Sequence, residues 1–109
     1  MRQINFKKQS PQGLIDGTLR VHEKFIFFKY KDSTTSKQVM NEFRKKGLNI
    51  EEGKGWIKLD LLGTNELVKL GDYEIDQNND SLDKIEEKLF NFYKNKYKEM
   101  GFYIEWINI

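Results

Sequence analysis

Between residues 81 and 101 the apolar side chains recur at helical spacing, and this stretch constrains the fold more than any other. Leu82, Ile85, Leu89, Phe92, Tyr93, Tyr97 and Met100 fall on one predicted face. Asp80 or Ser81 can cap the start, with Asp83, Glu86 and Glu87 near the positive end of the helix dipole. Lys94, Lys96 and Lys98 suit the negative end, and Gly101 supplies a left-handed stop. Burying a face of this size yields a gross ~10–20 kcal/mol before chain entropy is subtracted, so the helix is expected to dock rather than stand free. Directly after it, Phe102-Tyr103-Ile104-Glu105-Trp106-Ile107 alternates as a strand.

The rest of the chain reads as short extended segments around one more helix. Ile4 and Phe6 mark an opening strand that runs into the polar loop Gln9-Ser10-Pro11-Gln12-Gly13, and Asp16-Gly17 has turn composition. Over residues 18–30, Leu19, Val21, Phe25 and Phe27 share one parity, against Arg20, His22, Lys24, Ile26, Phe28 and Tyr30. The second half of that stretch is apolar on both parities. It fits either one strand covered on both faces at its end or a hairpin broken near Glu23-Lys24. A short helix follows, with Thr35 and Gln38 at capping-box spacing, Val39, Met40 and Phe43 on one face, and Gly47 as its stop. Leu48 and Ile50 enter another strand, Gly53-Lys54-Gly55 turns into a strand over 56–62, and Gly63-Thr64-Asn65 is the next turn. Leu67, Val68, Lys69 and Leu70 are extended, and after Gly71-Asp72 the strand spacing resumes at Tyr73 and Ile75.

Connections this short join antiparallel neighbours. The expected fold is α+β: an antiparallel sheet of about five to six strands with one short and one long C-terminal helix packed on it. At 109 residues the chain reads as one domain spanning 1–109. Lys69-Leu70-Gly71-Asp72-Tyr73-Glu74-Ile75 resembles a segment near the end of some small phage proteins, without the Gly-Glu-Phe-Tyr-Pro pattern that follows it there. The resemblance implies no function.

Composition excludes whole classes of chemistry. There is no cysteine, hence no disulfide, thiolate nucleophile or cysteine-bound zinc, which fits a reducing, cytoplasmic setting. No apolar run approaches the ~18 residues of a membrane span, and Met1-Arg2-Gln3-Ile4-Asn5-Phe6-Lys7-Lys8 does not read as a secretion signal. His22 is the only histidine, so no cluster of histidines can bind a metal. It shares its parity with Arg20 and Lys24, which suggests a solvated sheet surface. Gly53-Lys54-Gly55 lacks the frame of a phosphate loop. Asp60, Glu66, Asp72, Glu74 and Asp76 are numerous, but no spacing among them selects a catalytic pair. Residues 76–87 place Asp76, Asn78, Asp80 and Glu87 as in an EF-hand calcium loop. Ser81 and Asp83 depart from that pattern at the turn glycine and the aliphatic position, so the stretch reads as a polar loop and an acidic helix cap.

Charge is unevenly spread. Residues 1–50 hold eleven Lys or Arg against four Asp or Glu, and residues 51–109 hold eight against thirteen. The Lys–aromatic interleaving over 88–98 resembles a stacking surface, but helical periodicity sends Phe92, Tyr93 and Tyr97 inward. The better candidate for partner or nucleic-acid contact is the set Arg20, Lys24, Lys29, Lys31, Lys37, Arg44, Lys45 and Lys46 in the first half. With no catalytic, cofactor or metal kit legible, the expected function is that of a non-enzymatic accessory or inhibitor-type binding protein. Heavy use of Lys, Asn and Ile suggests a bacterial or phage origin. A protein partner stands first, because the net charge is only +2, and the alternative is a nucleic-acid-binding domain using the basic N-terminal half.

Overall fold

The computed structural model describes residues 1–48 and 50–108, without the side chain of Asn108. The elements run β1 (Arg2–Ser10), β2 (Gly13–His22), β3 (Phe25–Tyr30), α1 (Ser33–Lys45), β4 (Ile50–Gly53), β5 (Trp56–Leu59), β6 (Leu67–Leu70), β7 (Tyr73–Asp76), α2 (Leu82–Glu99) and β8 (Tyr103–Asn108). Six strands form one antiparallel sheet in the order β4-β5-β3-β2-β1-β8, and β6 and β7 pair only with each other. The architecture is α+β, with both helices on one face of the larger sheet.

Strand alternation places the core. Ile4, Leu19, Phe28 and Ile57 lie in one cross-strand row. Val21, Ile26 and Leu59 lie in the next. All are buried, and they meet Ile85, Leu89, Phe90, Tyr93 and Tyr97 of α2 together with Met40 of α1. The Phe6 ring stacks on Tyr97 at 4.6 Å between centroids and takes Tyr30 and Phe102 edge-on.

Both helices end alike. Gly47 N–H donates to the Arg44 carbonyl and Leu48 N–H to that of Phe43. At the end of α2, Gly101 N–H donates to Lys98 and Phe102 N–H to Tyr97. These are Schellman closures, each needing a left-handed residue that glycine supplies at φ 74° and 85°. At the second, Phe102 packs edge-on against Tyr97, the apolar contact that accompanies the motif.

Several expectations are corrected. Asp16-Gly17 is not a turn but lies inside β2, where Gly17 faces Phe6 across the ladder. A Cβ at Gly17 would come within 2.8 Å of both the Phe6 ring and the Lys29 carbonyl oxygen, so the glycine makes room for the ring. The cap of α1 is Asp32 rather than a hydroxyl further on: its carboxylate accepts from Thr34 N–H at 3.2 Å and from the Thr35 hydroxyl at 3.0 Å. The strand expected over 56–62 stops at Leu59, because the Asp60 carboxylate accepts from Gly63 N–H and turns the chain. The segments over 67–76 do not extend the main meander, since β4 already occupies the free side of β5. They form a hairpin through Gly71-Asp72 whose apolar residues Val68, Leu70 and Ile75 join the core beside α2. Leu82 at the start of α2 and Met100 at its C-cap are exposed, and Glu86 and Phe90 are buried instead. The inward face is rotated toward Glu86, which is satisfied by Arg2.

Candidate functional site

Among the described residues, no element packs on the face of the large sheet turned away from the helices. What lies there follows from one turn. His22 pairs with Phe25 across a two-residue connection, Glu23-Lys24, with Glu23 at φ 54°. Paired residues share a face, so Phe25 and Phe27 join Arg20 and His22 outside while Ile26 and Phe28 go in. Parity carried straight through residues 18–30 groups Phe25 and Phe27 with Leu19 and Val21. The hairpin alternative is the one the structure adopts.

The resulting surface interleaves rings and cations. Arg20, Phe27 and Lys58 form one row across β2, β3 and β5, and Trp56 sits one diagonal step from Phe27. The Arg20 guanidinium lies 4.6 Å from the Trp56 ring centroid and Lys29 Nζ 5.4 Å. Lys58 Nζ is 4.3 Å and Lys24 Nζ 5.5 Å from the Phe25 ring, and Lys7 Nζ is 5.6 Å from that of Tyr103. Phe25, Phe27 and Trp56 are half-buried, and Tyr103 is exposed. Two shallow depressions of about 310 and 280 Å³ adjoin on this face, one bordered by Trp56, Arg20 and Lys29, the other by Lys7 and Tyr103. They share Asp16, Gly17, Thr18 and Lys31.

The eight basic residues singled out from the sequence do not converge on one surface. Arg20 and Lys29 stand on the open face, where Arg20 Nε donates to Gln3 Oε1 at 2.7 Å. Lys24 is paired with Asp60 at 3.3 Å and Lys31 with Asp16 at 3.1 Å. Lys37, Arg44, Lys45 and Lys46 are exposed on α1 and its cap, on the helix side of the sheet. Arg44 and Lys45 fall in the last helical turn, where they complement the dipole. Sequence reasoning missed Phe25, Phe27, Trp56, Lys58 and Lys7 as members of the face. The pairing register across Glu23-Lys24 and Lys54-Gly55 is the signal that gathers them.

The other chemistry-bearing groups are occupied structurally. The Asp76 carboxylate accepts from Asn79 Nδ2 at 2.6 Å and from the N–H groups of Asn78 and Asn79. Asp80 accepts from Lys88 Nζ and from Asp76 N–H, both at 2.9 Å. These bonds, led by Asn79 for Asp76 and by Lys88 for Asp80, hold both carboxyls below the usual aspartate range. Residues 76–81 therefore form a capped turn, with Ser81 Oγ accepting from Lys84 N–H at the start of α2. Among the described residues no group of three or more His, Asp or Glu is arranged to hold a metal ion, and no helix is long and apolar enough to cross a membrane.

No protein-family model matches the chain, and neither a curated protein nor a solved structure matches it.

Proposed function

We propose that the chain is a non-enzymatic nucleic-acid-binding protein whose contact surface is the open face of the six-stranded sheet. The observation that carries this reading is the state of its cations. Lys7, Arg20, Lys29 and Lys58 have no carboxylate within 4 Å among the described residues, whereas Lys24 and Lys31 on the same side are paired. Unpaired cations set among half-buried rings suit a polyanion that carries flat aromatic groups. A protein partner is the second reading, favoured by the near-balanced net charge of +2. Against it, lysine is depleted at the centres of protein–protein interfaces, and three of these four cations are lysines.

The test is a titration of a labelled mixture of single- and double-stranded oligonucleotides at several salt concentrations. Affinity should fall linearly on a log–log plot as salt rises. The double change Lys29→Glu with Lys58→Glu should weaken binding at least ~10-fold, and Lys37→Glu with Lys45→Glu on α1 should leave it unchanged. The opposite ordering would move the interface to α1 and overturn the proposal.

A further inference from the structure

Resting on the nucleic-acid reading above, we infer that the ligand is single-stranded, with bases stacked on Trp56, Phe27 and Phe25 and phosphates held by Arg20, Lys29 and Lys58. The rings carry the inference. Phe25 and Phe27 are two residues apart on β3, roughly 7 Å along the strand. Trp56 lies diagonally across from Phe27 on β5, roughly 7–8 Å away. Three ring systems are thus set out at a step that separate, unstacked bases can follow. In a duplex each base is already covered by its neighbours above and below, and only its edges are reachable from a groove. This face is a sheet surface, and among the described residues no helix lies on it to enter a groove.

Two of the three rings also lie against a cation. The Arg20 guanidinium is 4.6 Å from Trp56 and Lys58 Nζ 4.3 Å from Phe25, and the same two residues flank Phe27 in its cross-strand row. A base on the indole, or on the guanidinium plane beside it, would leave its own phosphate within reach of Arg20 or Lys29. From Trp56 the two adjoining depressions continue past Thr18 toward Lys7 and Tyr103, where a further ring lies 5.6 Å from Lys7 Nζ. The strand would therefore cross the sheet from β5 toward β8. Of the side chains that line this route, Arg20 is held by Gln3, Thr18 Oγ1 donates to Asn5, Asp16 is paired with Lys31, and Glu105 accepts from the Tyr103 hydroxyl. Binding that tolerates sequence follows from stacking.

Trp56 can report directly on this. In a Trp106→Phe background it is the only tryptophan. A single-stranded oligothymidylate should quench its emission, and a duplex of the same length should compete at least ~10-fold less well. The salt slope should be about −2 to −3, as for three or four phosphates on a single strand. In the native chain, Trp56→Ala should weaken a labelled oligothymidylate by roughly 5- to 100-fold. Circular dichroism of Trp56→Ala checks that the loss is not one of folding, and Trp56→Phe, which keeps a ring, should retain most of the affinity. A duplex that binds as tightly as the single strand with Trp56 emission unchanged would overturn the single-strand inference and leave the nucleic-acid reading standing. Binding of neither would sink both.

Discussion

Glu86 Oε2 accepts a hydrogen bond from Arg2 Nη1 at 3.0 Å, joining the first strand to the second turn of the long helix. Glu86 is the one buried charged side chain among the described residues. Its other oxygen accepts from Glu23 N–H at 3.0 Å, so the same carboxylate also anchors the β2–β3 turn. That turn puts Phe25 and Phe27 on the open face. A residue inside the helix layer thus helps fix the geometry of the candidate binding surface on the far side of the sheet.

Removing Arg2 leaves the buried Glu86 carboxylate with Glu23 N–H and the amino terminus at 3.4 Å, and removing Glu86 leaves Arg2 with Asp83 alone. Arg2→Met or Glu86→Leu alone is expected to cost about 1–3 kcal/mol, because each survivor keeps part of its hydrogen bonding. The double change should recover part of that loss, because well-packed apolar groups replace a buried pair at little cost. Urea unfolding of the two single variants and the double variant closes the cycle. Single effects under about 0.5 kcal/mol, in the range of an exposed pair, would show that the contact carries no load.

Gly17→Ala should be the most damaging single-methyl change in the sheet. The added carbon meets the Phe6 ring and the Lys29 backbone oxygen, each at 2.8 Å, and neither can step aside without moving β1 or β3. A loss of about 1–3 kcal/mol is expected from overpacking. Phe6→Leu should relieve only the ring half of that clash, so the double variant should remain less stable than Phe6→Leu alone. Thermal unfolding of the three variants reads this out.

The helix layer was legible in the sequence because its periods are long and its ends are marked. Ile85, Leu89, Tyr93 and Tyr97 recur at helical spacing, and Gly47 and Gly101 stand where the structure places both left-handed caps. The antiparallel pairing was legible too, from connections too short to cross over, but the strand order was not. The open face was not. Its membership depends on which two residues of His22-Glu23-Lys24-Phe25 form the turn, and moving the break by one position sends Phe25 and Phe27 to the core side. Charge counts over half the chain could not separate Lys29, which has no acidic partner among the described residues, from Lys31, paired with Asp16. Asp16-Gly17 misled for a related reason: glycine there answers a close approach in space, which leaves no local trace.

The β4–β5 hairpin offers a gain in stability. Lys54 and Gly55 both have positive φ, 51° and 80°, the pattern of a type I′ turn. Lysine is a poor occupant of that region and asparagine a favoured one. Lys54→Asn should therefore stabilise the protein by a few tenths to about 1 kcal/mol, visible as a higher denaturation midpoint at unchanged m-value. Because β5 carries Trp56, the same variant should leave oligonucleotide affinity unchanged or slightly higher. A lower midpoint would show that the Lys54 side chain contributes something that its strained backbone conceals.

Two sets of groups fix the pH limits of the fold, with opposite signs. Asp32, Asp76 and Asp80 are held below the ordinary aspartate value of 3.8, chiefly by Thr34 N–H, Asn79 and Lys88 respectively. A depressed folded value means that the stabilisation is present above the unfolded value and is lost as pH falls through the folded one. Stability should therefore hold down to about pH 5 and decline below about pH 4. The hydroxyls of Tyr30, Tyr93 and Tyr97 are instead pushed above 10.0 by burial. The unfolded chain ionises first there, so stability is full below about pH 10 and falls as pH rises beyond it. Part of the tyrosinate absorbance should then appear together with the loss of helical circular dichroism, and Tyr97→Phe should reduce that shared amplitude. Complete tyrosine ionisation with the helical signal intact would show that this aromatic cluster is open to hydroxide, and that the stacked Phe6–Tyr97 pair does not seal the core.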